Sequence, residues 1–322
     1  MKQQNISLDI LKFIAVIFII NSHAELCYPQ YKGLATGGAI GNVLFLFCSG
    51  FTIFLGRMDR FDNWYKRRIN RIYPSVFAFL LYVMVVLSES INANSLIFRG
   101  GWFVYCIMIY YVFLYLIKCY MDSRLNWAFV LVCVLVVVWY LFEDKSTVFM
   151  YKVHLYNFSK CFYFLFMLFG AIIGSSKKVF NYKLLPDMLK LVGSVVLYYG
   201  FLFLCTKNQN ICQVQILSLI PLLSITYYFY KVCNAPQILK LAQKKIASWV
   251  IGIVATLTLE IYLVQFSLFT DKMNAIFPLN LPIMFVIIVA VAYLVKVVSR
   301  IFSQTFSENK YDWWAVFRLE KI

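Results

Sequence analysis

Residues 7–23 read SLDILKFIAVIFIINSH. Two charges, Asp9 and Lys12, stand at the start of an apolar run that closes on Asn21, Ser22 and His23. No small-residue cleavage site follows, so the stretch reads as a retained membrane helix and not as a leader. At 3.6 residues per turn, Asp9, Lys12, Val16, Ile20 and His23 fall within about one 80° sector, which should face a bundle interior. Fourteen positions separate Asp9 from His23, about 21 Å of helix axis. Two further stretches follow closely. GNVLFLFCSGF (41–51) is a second apolar helix, and KRRINRIYP (66–74) is a basic loop that delivers Arg67, Arg68 and Arg71 just before Pro74.

Working outward, the whole chain has this character. Of 322 residues, 62% are hydrophobic and only 14% charged, with a mean hydropathy of +0.77. Soluble cores of this length do not require so much apolar surface. The expected fold class is all-α: a polytopic membrane helix bundle of about ten transmembrane helices with no soluble domain. The expected spans are 8–23, 38–56, 74–92, 101–118, 126–142, 160–175, 188–206, 213–230, 247–269 and 281–299. They form one membrane domain over 1–322, ending in an interfacial tail, 300–322, with Trp313 and Trp314 beside Lys310, Arg318 and Lys321.

The formal net charge of +16 does not point to nucleic acid, because no basic soluble module exists to bind it. It sits in alternate loops. One set carries Arg57, Arg60, Lys66, Arg67, Arg68, Arg71, Lys118, Arg124, Lys177, Lys178, Lys183, Lys231, Lys240, Lys244 and Lys245. The other carries Lys32, Arg99, Lys145, Lys152, Lys160, Lys207 and Lys272, about half as many. The positive-inside rule places the first set, and both termini, in the cytoplasm. Nine scattered cysteines show no CxxC, and with only His23 and His154 available no metal site is expected.

Several polar residues stand where lipid makes them costly. His23 reads either as a headgroup-level histidine or as a catalytic base. Asp9 and Lys12 read as a structural i, i+3 pair or as part of a site. Arg67, Arg68 and Arg71 read as a topology signal, a lipid-phosphate contact or a ligand-phosphate clamp. Glu260, in TLTLEIYLVQ, lies within a span and must be paired, protonated or hydrated. Thr256 and Ser267 share its face on a continuous helix, which suggests a polar cavity. GGAIG at 37–41 follows no strand, so it is no nucleotide loop, and NFS at 157–159 matches a glycosylation sequon only.

These pieces together resemble the acyltransferase-3 family of bacterial integral-membrane O-acyltransferases. The resemblance rests on Leu8, Asp9, Leu11, Lys12, Phe13, Ala15 and His23; on Phe45, Ser49, Gly50 and Phe51; on Arg68, Arg71, Ile72 and Pro74; on Gly101, Trp102 and Phe103; and on LEIYLVQ, Leu259 to Gln265. It covers nearly the whole chain, in order. It implies transfer of an acyl group, acetyl by family default, from acyl-CoA to a hydroxyl of a cell-surface glycan or its lipid-linked precursor, in the bacterial cell membrane. His23 and Glu260 are then the expected catalytic residues, His23 as base or transient acyl carrier and Glu260 orienting His23 or a substrate hydroxyl. Arg68 and Arg71 bind the donor phosphates. Asp9, Ser49, Gly50, Trp102 and Gln265 support the site. Acyl-CoA is the donor substrate and no cofactor is held permanently. Gln265 departs from the family, whose motif often ends in histidine there, and glutamine can hydrogen-bond but not shuttle protons. Larger relatives carry an extracellular hydrolase-like domain that residues 1–322 do not include, and the membrane domain is then expected to acylate its acceptor itself or to pass the group to a separate protein. The rival class is a transporter or flippase of lipid-linked glycan, which predicts activity without acyl donor and interrupted helices in paired positions of two halves.

Overall fold

The structure, a computed structural model, describes residues 5–88, 101–151, 157–176, 180–307 and 310–318. Arg99, Lys152, His154, Lys177, Lys178 and Lys321 lie outside them. Every regular element among the described residues is helical. This follows from the composition: in lipid each backbone N–H and C=O must be satisfied within its own segment, which a helix does.

The long helices are α1 (Ile6–His23), α2 (Gly38–Phe54), α3 (Phe61–Val86), α4 (Gly101–Met121), α5 (Leu125–Phe142), α6 (Phe158–Ser175), α7 (Leu184–Lys207), α8 (Leu219–Cys233), α9 (Lys245–Thr256), α10 (Thr258–Leu268) and α11 (Asn280–Thr305). A short α12 (Trp313–Phe317) follows. Among the described residues eight segments are long and apolar enough to cross a membrane, and nine if α9 and α10 count as one bent span. The expected spans 101–118 and 126–142 fall together in the 42-residue segment Gly101–Phe142. At 1.5 Å per residue that segment has about 63 Å of helix, twice the hydrocarbon thickness.

Two sequence expectations change. The basic stretch before Pro74 is not a loop: α3 begins at Phe61 and runs through Pro74. Proline removes one backbone bond there, a loss membrane helices tolerate, and the gain is a rigid mount for Arg68 and Arg71. The expected span 247–269 is likewise not one helix. It breaks at Leu257, where α9 and α10 meet at a 76° bend. Hydroxyls explain the break. Thr256 Oγ1 donates back to Gly252 O (2.7 Å) and Thr258 Oγ1 to Ala255 O (2.9 Å), and such back-bonding bends helices. Thr256 therefore does not share a face with Glu260, and Ser267 Oγ is satisfied by its own helix at Val264 O (2.7 Å). The polar cavity expected from that shared face is not formed by these two hydroxyls.

The helices gather into two compact units. The first comprises Met1–Leu11, Asn42–Arg57 and Tyr110–Ala247. Within it α7 packs on α8 and α5 on α6. Gly50 is the most tightly packed glycine of α2: a Cβ there would land on the backbone carbonyl of Met167 in α6, and a Cβ on Gly170 would land on that of Phe47. Reciprocal glycines of this kind let two membrane helices touch backbone to backbone. An ion pair from Lys231 Nζ to Asp187 Oδ1 (2.6 Å) ties α8 to α7.

The second unit comprises Lys12–Gly41, Met58–Ile109 and Ser248–Ile322. In it α3, α10 and α11 pack on one another. The end of the chain folds back along α11: Gln304 pairs with the backbone of Asp312 (2.7 and 2.9 Å), Arg300 Nη1 donates to Val316 O (3.1 Å), and Tyr293 donates to Phe317 O (2.9 Å). Trp313 and Trp314 remain exposed.

Candidate active site

The functional side chains of the second unit lie along α3 and α10. On α3, Trp64, Arg68, Arg71 and Ser75 fall within about one 60° sector by helical spacing. Trp64 is buried, and the Arg68 guanidinium lies over its ring at 4.9 Å. Arg67 points elsewhere and is engaged by Asp59 at 2.5 Å. Arg71 is exposed and makes no hydrogen bond or ion pair among the described residues. Four residues further, about 6 Å along the axis, the same face carries the buried Ser75.

Ser75 joins α3 to the first turn of α10. Its hydroxyl donates to Glu260 Oε1 at 2.5 Å and lies 3.2 Å from Ser299 Oγ of α11. Lys296 Nζ, also from α11, reaches the same Oε1 at 2.8 Å. Glu260 itself is 0% exposed. Three things stabilise this carboxylate: the ammonium, the serine hydroxyl, and the helix start created by the break at Leu257, whose free N–H groups favour negative charge. Glu260 Oε2 has no hydrogen-bond partner among the described residues. The hydrogen-bonding partners of Glu260 among the described residues are thus Ser75 and Lys296, which tie α10 to α3 and α11.

His23 meets α10 two turns further on. Its ring packs against Phe266 with centroids 4.2 Å apart. From Glu260 to Phe266 is about 9 Å of helix rise. The loops beyond this end are tied down. Asn280 Nδ2 donates to Cys27 O (2.8 Å), Asn274 Nδ2 to Leu26 O (3.0 Å), and Cys27 Sγ to Thr270 O (3.7 Å). Burial raises the Cys27 thiol above its ordinary pKa. Asn21, two residues before the end of α1, donates to Leu34 O (2.7 Å) and Thr36 O (2.9 Å) and accepts from the Tyr28 hydroxyl (2.6 Å). His23 therefore stands on a helix end braced on both sides by ordered loop. The start of α4 adjoins the same stretch of α10. Phe103 packs on Tyr262 with centroids 5.2 Å apart, and a Cβ on Gly101 would come within 2.9 Å of the Tyr262 hydroxyl. Gly101 also has φ of +68°, which a side chain would resist.

One unit thus carries a surface arginine, a stacked arginine, a buried carboxylate–ammonium pair and a histidine at a braced helix end. The acyltransferase-domain profile of the acyltransferase-3 family matches residues 5–298. The chain belongs to the acyltransferase-3 family. No curated protein matches it, and no solved structure does. The match extends over most of both compact units and includes every residue of the sequence motifs. The protein is a multi-pass membrane acyltransferase, acting between an acyl donor and an acceptor in a lipid bilayer.

In this acyltransferase Gln265 is unusual. It is 0% exposed, and neither Oε1 nor Nε2 has a hydrogen-bond partner among the described residues. Gln215, equally buried, shows what the fold does with a structural glutamine. Its Oε1 accepts from the backbone N–H of Phe149 (3.0 Å) and Met150 (3.3 Å), while Nε2 donates to Thr147 O (3.0 Å) and Cys212 O (3.1 Å). A buried polar group left unpaired costs about 1–3 kcal/mol.

The remaining expected residues are placed as follows. Asp9 is buried at 5% exposure in the first turn of α1, where the helix dipole favours a carboxylate. Val16 and Ile20 of its stripe are also buried, so that face points inward as its spacing predicts. Ser49 is half-buried and accepts a hydrogen bond at its carbonyl from Thr52 Oγ1 (3.3 Å). Gly50 packs α2 on α6. Asp9, Ser49 and Gly50 belong to the first unit, and Trp102 to the second, where it packs edge-on to Phe103. Lys296, Ser75, Trp64 and Phe266 were not singled out in the sequence. Lys296 carried a signal, a lone cation inside an apolar span; the other three look like ordinary helix residues.

Proposed function

We propose that this acyltransferase takes an acyl group, acetyl by the family default, from acyl-CoA at the cytoplasmic face and places it on a hydroxyl of a cell-surface glycan or its lipid-linked precursor. The observation that carries this reading is the order of groups along α3 and α10. Arg68 and Arg71 come first, then Ser75, Glu260 and Lys296, then Phe266 and His23. The excess of basic residues in alternate loops supports a cytoplasmic arginine end with both termini inside, and the family resemblance supports a bacterial cell membrane.

Arginine suits the donor's phosphates because its planar fork grips two oxygens at once. Arg71 is exposed with no partner among the described residues, and Arg68 is stiffened by Trp64. The long, mostly uncharged pantetheine arm carries the thioester from this anchor toward His23. The imidazole takes the proton of the acceptor hydroxyl, and the oxygen attacks the thioester carbonyl. The tetrahedral intermediate collapses with cleavage of the C–S bond, and the imidazolium returns the proton to the departing CoA thiolate. The products are the ester and free CoA thiol. Glu260 acts as a positioning residue: through Ser75 and Lys296 it fixes α10, and α10 carries Phe266 against His23. Braced loops around His23 keep bulk water from the thioester.

The broken span α9–α10 is the one observation that favours a transporter, since transporters hold substrate at such breaks. It has no second bent partner among the described residues. The two readings separate by acyl-CoA dependence.

The test is glycan acylation, read by mass spectrometry, in cells carrying His23→Ala, His23→Asn or the parent at equal membrane levels. Losing the positioned base removes about 10² to 10⁴ of the rate. Asparagine fills the space without accepting a proton and does no better. Near-normal acylation by His23→Ala would overturn the assignment.

A further inference from the structure

A fully buried amide with nothing bound at either end is a group waiting for a partner. Among the described residues Gln265 is such a group, and Gln215 in the same protein shows that the fold satisfies a glutamine completely when its role is structural. Gln265 immediately precedes Phe266, the residue on which the His23 ring packs. Their Cα atoms are about 3.8 Å apart. Along the axis of α10 Gln265 lies about 4.5 Å beyond Tyr262 and about 1.5 Å before Phe266, turned about 60° from the first and about 100° from the second, so its level on the helix falls between the Gly101–Phe103 contact and the His23 contact.

The free atoms define the ligand. Oε1 needs a donor and Nε2 needs an acceptor, side by side in the plane of one amide. A thioester carbonyl offers only an acceptor and leaves Oε1 empty. A secondary amide of the pantetheine arm presents its N–H and C=O on opposite sides and cannot meet both. Two hydroxyls on adjacent carbons of a sugar can do so: one donates to Oε1 while the neighbouring oxygen accepts from Nε2.

We infer that Gln265 is a specificity-determining residue that holds a vicinal diol of the acceptor sugar beside His23 and so selects which hydroxyl is acylated. This rests on the proposed function, in which His23 serves as the base. It assigns to glutamine a task that needs no proton transfer, in keeping with what an amide can do.

The experiment uses the whole protein in membranes, with acetyl-CoA or the acyl-CoA the parent accepts, and the producing cell's own glycan after mild de-O-acylation as acceptor. Gln265→Leu and Gln265→Met remove the amide and keep the volume. Both variants are expected to raise the acceptor KM about ten- to a hundredfold, the loss for a buried hydrogen-bonding pair, and to leave the acyl-CoA KM unchanged. The single ester position made by the parent, read by NMR, becomes a mixture. Thermal stability stays level or rises, because no internal hydrogen bond is lost. An acceptor KM within twofold of the parent overturns the inference; so does a rise confined to the donor KM, or a large fall in stability, which marks a structural role. His23→Ala is run alongside. If it is inactive while both Gln265 variants match the parent, this inference alone fails. If it is active, the base assignment beneath it fails.

Discussion

Replacing Lys296 with methionine removes the cation from Glu260 Oε1 and leaves the volume nearly unchanged. Glu260 is 0% exposed and then keeps the Ser75 hydroxyl, 2.5 Å away, and the start of α10, but no ion pair among the described residues. At the 2.8 Å separation of the pair, an effective dielectric of about 20 gives an attraction of roughly 6 kcal/mol, most of it offset by the desolvation of both ions. The net worth of the pair is therefore small, but stranding one member is not: the expected loss for Lys296→Met is about 3–5 kcal/mol. Glu260→Gln strands the ammonium instead. Its cost lies toward the lower end of that range, because the Lys296 side chain is 21% exposed and part of its charge can reach water. The double variant Glu260→Gln/Lys296→Met strands neither charge and keeps a Ser75 acceptor. It should fall within about 1–2 kcal/mol of the parent. The assay is unfolding of the detergent-solubilised protein in a denaturant series, parent against the two single variants and the double. Single losses that simply add in the double variant, or single variants as stable as the parent, would refute the reasoning, since either result means the two groups do not act as a buried pair. A double variant that folds and retains acylation supports the positioning role of Glu260.

Two other outcomes follow from the geometry. Arg71→Ala should raise the KM for acyl-CoA with no change in stability, and Arg68→Lys should rescue only part of the Arg68→Ala defect, because lysine lacks the fork and the flat face that lies over Trp64 at 4.9 Å; donor-saturation curves measure both, and unaltered acyl-CoA binding by the double alanine variant would reduce the pair to a topology signal. Gly50→Ala should cost about 3 kcal/mol, at the upper end for overpacking, because its Cβ meets the Met167 backbone carbonyl and not a side chain that can turn aside; a variant as stable as the parent in thermal unfolding would show that α2 and α6 part easily.

Sequence pattern alone was strong where one helix decides the matter. The stripe from Asp9 to His23 depends only on the 3.6-residue period, and Asp9, Val16 and Ile20 are buried accordingly. The all-helical fold follows from composition and the need to satisfy backbone groups in lipid. Features that depend on two elements at once were hidden. Pro74 read as the end of a loop because proline disfavours the helix interior, yet α3 passes through it. The break at Leu257 needed knowledge of which threonine hydroxyls turn back on their own helix. Glu260 was conspicuous as an intramembrane carboxylate, but Lys296 and Ser75 lie 36 and 185 positions away in the chain, and only the packing register of α3, α10 and α11 pairs them.

The break also explains how one short helix serves two chemistries. A continuous helix over 247–269 would leave Glu260 in its interior, where its own backbone offers no free N–H and the carboxylate would depend on Lys296 and Ser75. Ending α9 at Thr256 and restarting at Thr258 places Glu260 in a first turn, at the positive end of a new helix. The backbone cost is limited, because Leu257 N–H still bonds Ile253 O at 3.0 Å and Ile261 N–H bonds Leu257 O at 2.8 Å. With its start fixed by charge, α10 needs only two turns to reach His23, and that part of it can leave an amide, Gln265, unspent. A helix pinned at one end by an ion pair tolerates an unpaired polar group at the other. This is why the unfilled hydrogen-bonding capacity of Gln265 is better read as a place kept for the acceptor than as a defect of packing.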